Sequence, residues 1–416
     1  MDRPEGIVSR VDTPAPGLRA VRSCGATVTL SDGHEYLDLM NGKGCVTLGH
    51  HHQAVDGAMI DHLRANGAAA TCWSDRHEQL AEMILADCVM PGAALGFFST
   101  GTDACRVAVQ AARAFTGRRL VASAGYHGWG DQWAEGSKLL EPNPEGVIDF
   151  YFLPELLSDL LERHRDRIAL VIMSPDYVHC RPETMAALMT LAREHGVLFC
   201  CDDVKQGYRS IAGSALPRLT GMEADLYTFA KGLANGHRLS CVVGRPEIMR
   251  AARHLTYTAY FDTLPVVAAL ATLDYMARED GYRRLVACGA ALAGRLREAA
   301  AASRLPVAIY GDGPMLQLVG GTDELDKAMY AACAAQRLLL YEGDNQSVSL
   351  ATEQVIDDIS ERFAAALAVL QPQFAMLHGT AVSPERQFAA AFQMMDGATD
   401  AVPARDALTW ITRMRA

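Results

Sequence analysis

Three features of the chain predict an α/β protein: one large domain built on a mostly parallel sheet, and a smaller α+β domain. Short, wholly apolar runs such as residues 168–173 and 197–201 alternate with helix-patterned segments, as strands covered on both faces do. Four of these runs end on residue types suited to a binding site: Thr100-Gly101-Thr102, Tyr126-His127, Asp202 and Lys231. In open sheets of this kind ligands bind beyond the carboxyl ends of the strands. After residue 285 the character changes to alanine-rich helical sequence followed by two short apolar runs.

The elements follow in order. Residues 26–30 and 36–39, with Asp32-Gly33 between them, read as a hairpin, since Asp-Gly suits a tight turn. Residues 1–55 form a leading segment expected to join the small domain. From 56 to 285 strands and helices alternate in the large domain. Residues 95–99 are a strand, and Ala104, Val107, Ala108, Ala111, Ala112 and Phe115 then fall on one helix face, with Gly117 as a stop. Residues 120–122, 168–173, 197–201, 225–230 and 239–243 supply further strands, and 184–195 a helix closed by Gly196. Residues 286–416 make the C-terminal part of the small domain, with helix at 286–302, strands at 306–310 and 315–319, and further helix and loop after Pro372.

The composition excludes several classes. The 416 residues are 50% hydrophobic and 21% charged, an ordinary globular mixture, and the net charge of −11 argues against a nucleic-acid binder, which carries a basic face. An acidic balance suits a cationic small substrate. No apolar run approaches the roughly 18 residues that cross a membrane, and the first residues carry no signal-peptide core. Eleven cysteines without C-x-x-C spacing read as reduced thiols of a cytoplasmic protein. His50-His51-His52 point in different directions on any regular element, so no metal is expected there.

The chemistry starts at Lys231, where a buried apolar run ends and a glycine-bearing turn begins. Desolvation at such a place favours the neutral amine, which can attack a carbonyl and form a Schiff base. Thr100-Gly101-Thr102 opens a helix, and free N–H groups at a helix start suit a phosphate; alone, such a turn is only a cap. Asp202 alone is a strand-end acid, and Tyr126 alone a packing residue. Together they match the needs of one cofactor, pyridoxal 5'-phosphate (PLP): a lysine for its aldehyde, a cradle for its phosphate, an aspartate for its pyridine nitrogen and a ring to stack on it.

These residues carry a resemblance. Residues 98–104 (F-S-T-G-T-D-A), 125–128 (G-Y-H-G), 199–209 (F-C-C-D-D-V-K-Q-G-Y-R), 225–236 around Lys231, and Thr258 upstream of 270–273 resemble, in order, five motifs of the class III aminotransferases of PLP fold type I. Within these the glutamate-1-semialdehyde aminomutase-like members are the most similar. The resemblance covers about residues 25–365. It implies that Lys231 is the Schiff-base lysine and proton carrier, and that Asp202 pairs with the ring nitrogen. It gives the phosphate to Thr100, Gly101 and Thr102, with Thr258 reaching from a partner subunit, and stacking to the Tyr126-His127 segment. It also implies a homodimer with shared active sites, an amino donor and an aldehyde acceptor. Ser174-Pro175 stands where the family often has Glu-Pro, and Asp103 and Thr100 replace the usual glutamate and serine. Similar departures occur in members that act on amino sugars in aminoglycoside assembly. The expected reaction is therefore amination of a primary aldehyde on an amino sugar, with an aminomutase or epimerase on the same scaffold as the alternative.

Overall fold

The computed structural model describes residue 15 and residues 17–88, 90–130 and 146–376. The expectations for the segment preceding residue 15 and for the tail beyond 376 lie outside these residues. The described chain divides into two units, one drawn from residues up to 53 and from 283 onward, the other from residues 54–282.

The first unit begins with strands β1 (Ala20–Cys24), β2 (Thr27–Leu30) and β3 (Glu35–Asp38). The expected hairpin is β2–β3, paired antiparallel with Thr27 opposite Leu37. The end of β3 is tied down by Asp38. Its Oδ1 accepts the Met40 and Asn41 N–H groups, and its Oδ2 lies 2.9 Å from His50 Nε2. The first of the three histidines is thus engaged by a carboxylate.

The second unit carries the large sheet. Helices α1 (Gln53–Asn66) and α2 (Asp75–Asp87) lead to β4 (Ala94–Phe98), α3 (Gly101–Thr116), β5 (Leu120–Ala124) and β6 (Val147–Asp149). Next come α4 (Pro154–His164), β7 (Ile168–Met173), α5 (Pro182–Glu194), β8 (Leu198–Asp202), β9 (Leu226–Phe229), β10 (Ser240–Gly244), α6 (Pro246–Ala252) and α7 (Leu264–Arg278). The strand order is β4-β10-β9-β8-β7-β5-β6. Strands β9, β8, β7, β5 and β6 are parallel. β10 runs antiparallel to both of its neighbours, β9 and β4. Two reversals cancel, so β4 points the same way as β9, and the ends of β4, β5, β8 and β9 meet at one edge of the sheet.

The core is where α3 crosses this sheet. Ala104, Val107, Ala108, Ala111 and Ala112 are buried against Val121, Leu170, Ile172, Leu198, Leu226 and Val242. Alanine at most of these positions lets the helix backbone approach the strands closely. Phe115 departs from the expected buried face: it is 44% exposed, with the Arg245 guanidinium 5.9 Å from its ring. It falls in the last turn of the helix, and its ring serves a surface cation instead of the core.

The remainder of the first unit contains α8 (Gly281–Ser303), β11 (Val307–Tyr310), β12 (Met315–Gly320), α9 (Asp323–Ala335), β13 (Leu338–Leu339), β14 (Gln346–Ser347) and α10 (Ile356–Leu370). β13 completes a four-stranded sheet by pairing parallel to β3, and β11-β12-β14 form a separate antiparallel sheet.

Candidate active site

The site is built on the sheet edge where β4, β5, β8 and β9 end. Asp202, the last residue of β8, is 1% exposed. A carboxylate there needs donors in place of water, and the chain supplies four. Oδ1 accepts the Thr228 hydroxyl at 2.8 Å and the Val204 N–H at 3.2 Å. Oδ2 lies 2.6 Å from His127 Nδ1 and accepts the Cys105 thiol at 3.2 Å. Strand register explains the first of these, since Asp202 and Thr228 are partners across the β8–β9 ladder. The thiol arrives from the first turns of α3. Burial, and then the neighbouring Asp202 carboxylate, push the Cys105 thiol well above its ordinary pKa, so it stays a donor.

The ligand atoms of Cys105, His127 and Asp202 lie within 4.8 Å of one another, a grouping that can hold a metal ion. Here the three side chains are hydrogen-bonded to each other through Asp202 Oδ2, and an ion would have to displace those contacts.

The start of α3 lies beside this carboxylate. Thr100 is its N-cap and forms a reciprocal pair with Asp103. Thr100 Oγ accepts the Asp103 N–H at 3.2 Å and donates to Asp103 Oδ2 at 2.8 Å. The hydroxyl of Thr100 is therefore engaged within the chain. The N–H groups of Gly101 and Thr102, in the first turn, have no carbonyl of their own helix to bond. Gly101 is required sterically, because a Cβ there would come within 2.6 Å of Val204 Cγ1. The helix start is thus packed closely against Val204, two residues past Asp202.

The loop after β5 closes over the same helix start. Gly128 has φ +95°, and a Cβ on it would collide with the Thr102 hydroxyl. The Trp129 N–H points at Thr102 Oγ at 3.4 Å. Tyr126 is exposed, its ring 5.7 Å from Trp129 and inclined at 68°, while the adjacent His127 turns inward to Asp202. Of this pair, expected together at the cofactor, His127 is thus a partner of Asp202 and Tyr126 is not buried with it.

Lys231 lies two residues past β9 and opens a short 3-10 turn, Lys231–Ala234. Its φ is +44°, a left-handed conformation that costs a non-glycine residue about 1–3 kcal/mol and recurs at functional positions. Thr258 sits apart from this group on the exposed turn between α6 and α7. Its neighbours Thr256, Tyr257 and Ala259 line a cavity of about 870 Å³ with Trp73 and Phe98. The structure thus gathers the ends of four strands at one edge and leaves Thr258 outside the hydrogen-bond network of Asp202. Sequence reasoning did not single out Cys105 or Thr228. A polar threonine inside the apolar run Leu226–Phe229 was the available signal for Thr228; a cysteine on a buried helix face gives none.

The family model described as aminotransferase class-III matches residues 7–132 and 151–370. The chain belongs to the class-III aminotransferases. This family member is 34% identical over 355 residues to the 2'-deamino-2'-hydroxyneamine transaminase of Streptomyces kanamyceticus, covering 84% of this chain and 90% of the relative. It is 30% identical over 386 residues to the glutamate-1-semialdehyde 2,1-aminomutase of Anaeromyxobacter sp. strain K, covering 83% and 88%. Among solved structures, the Sphingopyxis sp. MTA144 FumI protein in its PLP internal aldimine form superposes with a TM-score of 0.76 at 26% identity, over 86% of this chain and 90% of that one. The class-III aminotransferase described here has the type I fold of PLP-dependent transferases, with a large, mostly parallel sheet in one unit and smaller sheets in the other. Among the described residues no helix is long and apolar enough to cross a membrane.

Proposed function

We propose that the chain is a PLP-dependent aminotransferase that interconverts a primary aldehyde and a primary amine on an amino sugar, with an amino acid such as glutamate as the other partner. The observation that carries the reading is the convergence at one sheet edge of a buried, four-donor carboxylate, a helix start with first-turn N–H groups, and a lysine in a left-handed turn. The similarity to a transaminase named for neamine supports the substrate class, and the relative solved with PLP supports the cofactor.

Bound PLP supplies an aldehyde that captures amines and a protonated ring that draws electrons from the amine-bearing carbon. Lys231 would hold that aldehyde and move the proton at that carbon. Asp202 would hold the proton of the ring nitrogen by a charge-assisted hydrogen bond. The Gly101 and Thr102 N–H groups would take the phosphate, with Thr258 of a second subunit reaching it. Tyr126 would cover the ring. The active form is then a homodimer, and an active monomer in sedimentation would remove that part of the reading. Eleven free cysteines suit a reducing cytoplasm.

The test uses purified protein reconstituted with PLP. Borohydride reduction followed by peptide mapping is expected to label Lys231, and Lys231→Ala to lose both the label and turnover. With an amino-sugar aldehyde and glutamate, one equivalent of 2-oxo acid is expected per amine formed. Turnover without net 2-oxo acid would instead select the isomerase reading, which the aminomutase relative keeps in view.

A further inference from the structure

Asp202 is fully supplied with donors. A buried carboxylate offers about four lone-pair sites, and besides the Val204 N–H three side chains, Cys105, His127 and Thr228, converge on it. Two of them, Cys105 and Thr228, also approach each other, with Sγ and Oγ 3.8 Å apart. Each covers a different oxygen of Asp202, and both are buried, at 1% and 0% exposure.

This arrangement has a consequence for a proton shared between Asp202 and a ring nitrogen. In a buried site the pair can exist as carboxylate and pyridinium or as carboxylic acid and neutral pyridine. Low dielectric favours the neutral pair, while hydrogen bonds to the carboxylate favour the charged one. Donors on Asp202 therefore decide on which side the proton rests. Cys105 and Thr228 suit this purpose because both are uncharged and add no competing ion. The thiol is a weak donor and the hydroxyl a stronger one, so their contributions should be graded.

We propose that Cys105 and Thr228 are positioning residues that clamp Asp202, one on each oxygen, and keep it ionised so that the proton stays on the pyridine nitrogen of bound PLP. The proposal rests on the PLP reading above. Neither side chain needs to reach the substrate; both act through Asp202.

The experiment is 15N NMR of PLP labelled at the pyridine nitrogen, bound to the full chain, recorded across pH. The wild type is expected to show the protonated resonance. Thr228→Val, nearly isosteric, should shift it toward the unprotonated position and lower the single-turnover rate about tenfold, the loss of one hydrogen bond to a charged group. Cys105→Val should shift it less and slow turnover about threefold, in keeping with a weaker donor. Thr228→Ser and Cys105→Ser should restore the wild-type resonance, and a role limited to packing would not be rescued in this way. Cys105→Ala serves where valine prevents folding. Wild-type resonances in both apolar variants would overturn the clamp while leaving the PLP reading intact. Failure of the wild type to bind labelled PLP at all would overturn the reading itself, and the clamp with it.

Discussion

Asp202 and Asp203 are neighbours in sequence, both buried, yet they occupy different chemical surroundings. Asp202 ends β8 facing α3 and β9, where a histidine, a threonine, a thiol and a backbone N–H all meet its oxygens. Asp203 faces the other way. Its oxygens lie 3.2 and 3.4 Å from the Tyr177 hydroxyl, with Ser214 as a further donor. Burial pushes the Asp203 carboxyl up to about 7, with the hydrogen bonds from Ser214 and Tyr177 pulling against it and the nearby Asp202 charge adding to it. What separates the two acids is the donor set: Asp202 is equipped with four donors, whereas Asp203 has the Tyr177 and Ser214 hydroxyls against a burial that pushes its carboxyl up. The alternation of a strand end sends two identical residues into different surroundings.

The largest expected effect comes from removing the charge on the equipped side. Asp202→Asn keeps the shape but cannot hold a ring proton as an anion. The protonated ring matters most near the transition state, so single-turnover rates should fall by about three orders of magnitude, roughly 4 kcal/mol, while PLP is still retained through Lys231 and the start of α3. Retained activity in Asp202→Asn together with a crippled Asp203→Asn would exchange the roles of the two acids.

A smaller effect is expected where the loop after β5 meets α3. Gly128→Ala forces a Cβ onto Thr102 at a backbone angle that side chains avoid. The strain should cost about 1–3 kcal/mol and loosen the helix start, seen as a lower melting temperature and about tenfold weaker PLP retention in dialysis. Unchanged retention would mean that the Thr102 contact does not shape the cradle.

Much of this comparison was legible in the chain itself. Continuous apolar runs marked β7, β8 and β9, and the residues at the ends of β4, β5, β8 and β9 marked one edge of the sheet as the candidate site. Strands β1 and β6 were missed because the first is largely exposed and the second is only three residues long, leaving no apolar run to read. The reversal of β10 was equally hidden, since an apolar strand carries no sign of its direction. Cys105 and Thr228 were illegible for a different reason. Their meaning depends on register and helix placement, which bring a helix-face thiol and a ladder-partner hydroxyl onto one carboxylate. Phe115 departs from the expected face because helical periodicity marks a face but not how far along it burial extends.

The smallest effect on turnover is expected at Asp203. Asp203→Asn should change single-turnover rates by less than about threefold, because its partners Tyr177 and Ser214 are not those of Asp202. Its signature should appear in stability. The carboxyl titrates near 7 when folded, against 3.8 ordinarily, so between those values the folded chain keeps a proton that the unfolded chain has lost. The stability this group contributes is therefore complete below about pH 4 and is lost as pH rises through 7. Asparagine does not ionise and removes that loss. At fixed PLP concentration, so that linkage to the cofactor cancels, the variant should gain stability relative to the wild type on going from pH 5 to pH 8. The gain should be about 3 kcal/mol, roughly 1.4 kcal/mol for each of the about two pH units between 5 and the folded value. Histidines that titrate in the same window are common to both proteins and cancel in the difference. Parallel curves of denaturation midpoint against pH for the two proteins would mean that Asp203 is ionised in the fold, and the contrast between the two neighbouring acids would then have to rest on geometry alone.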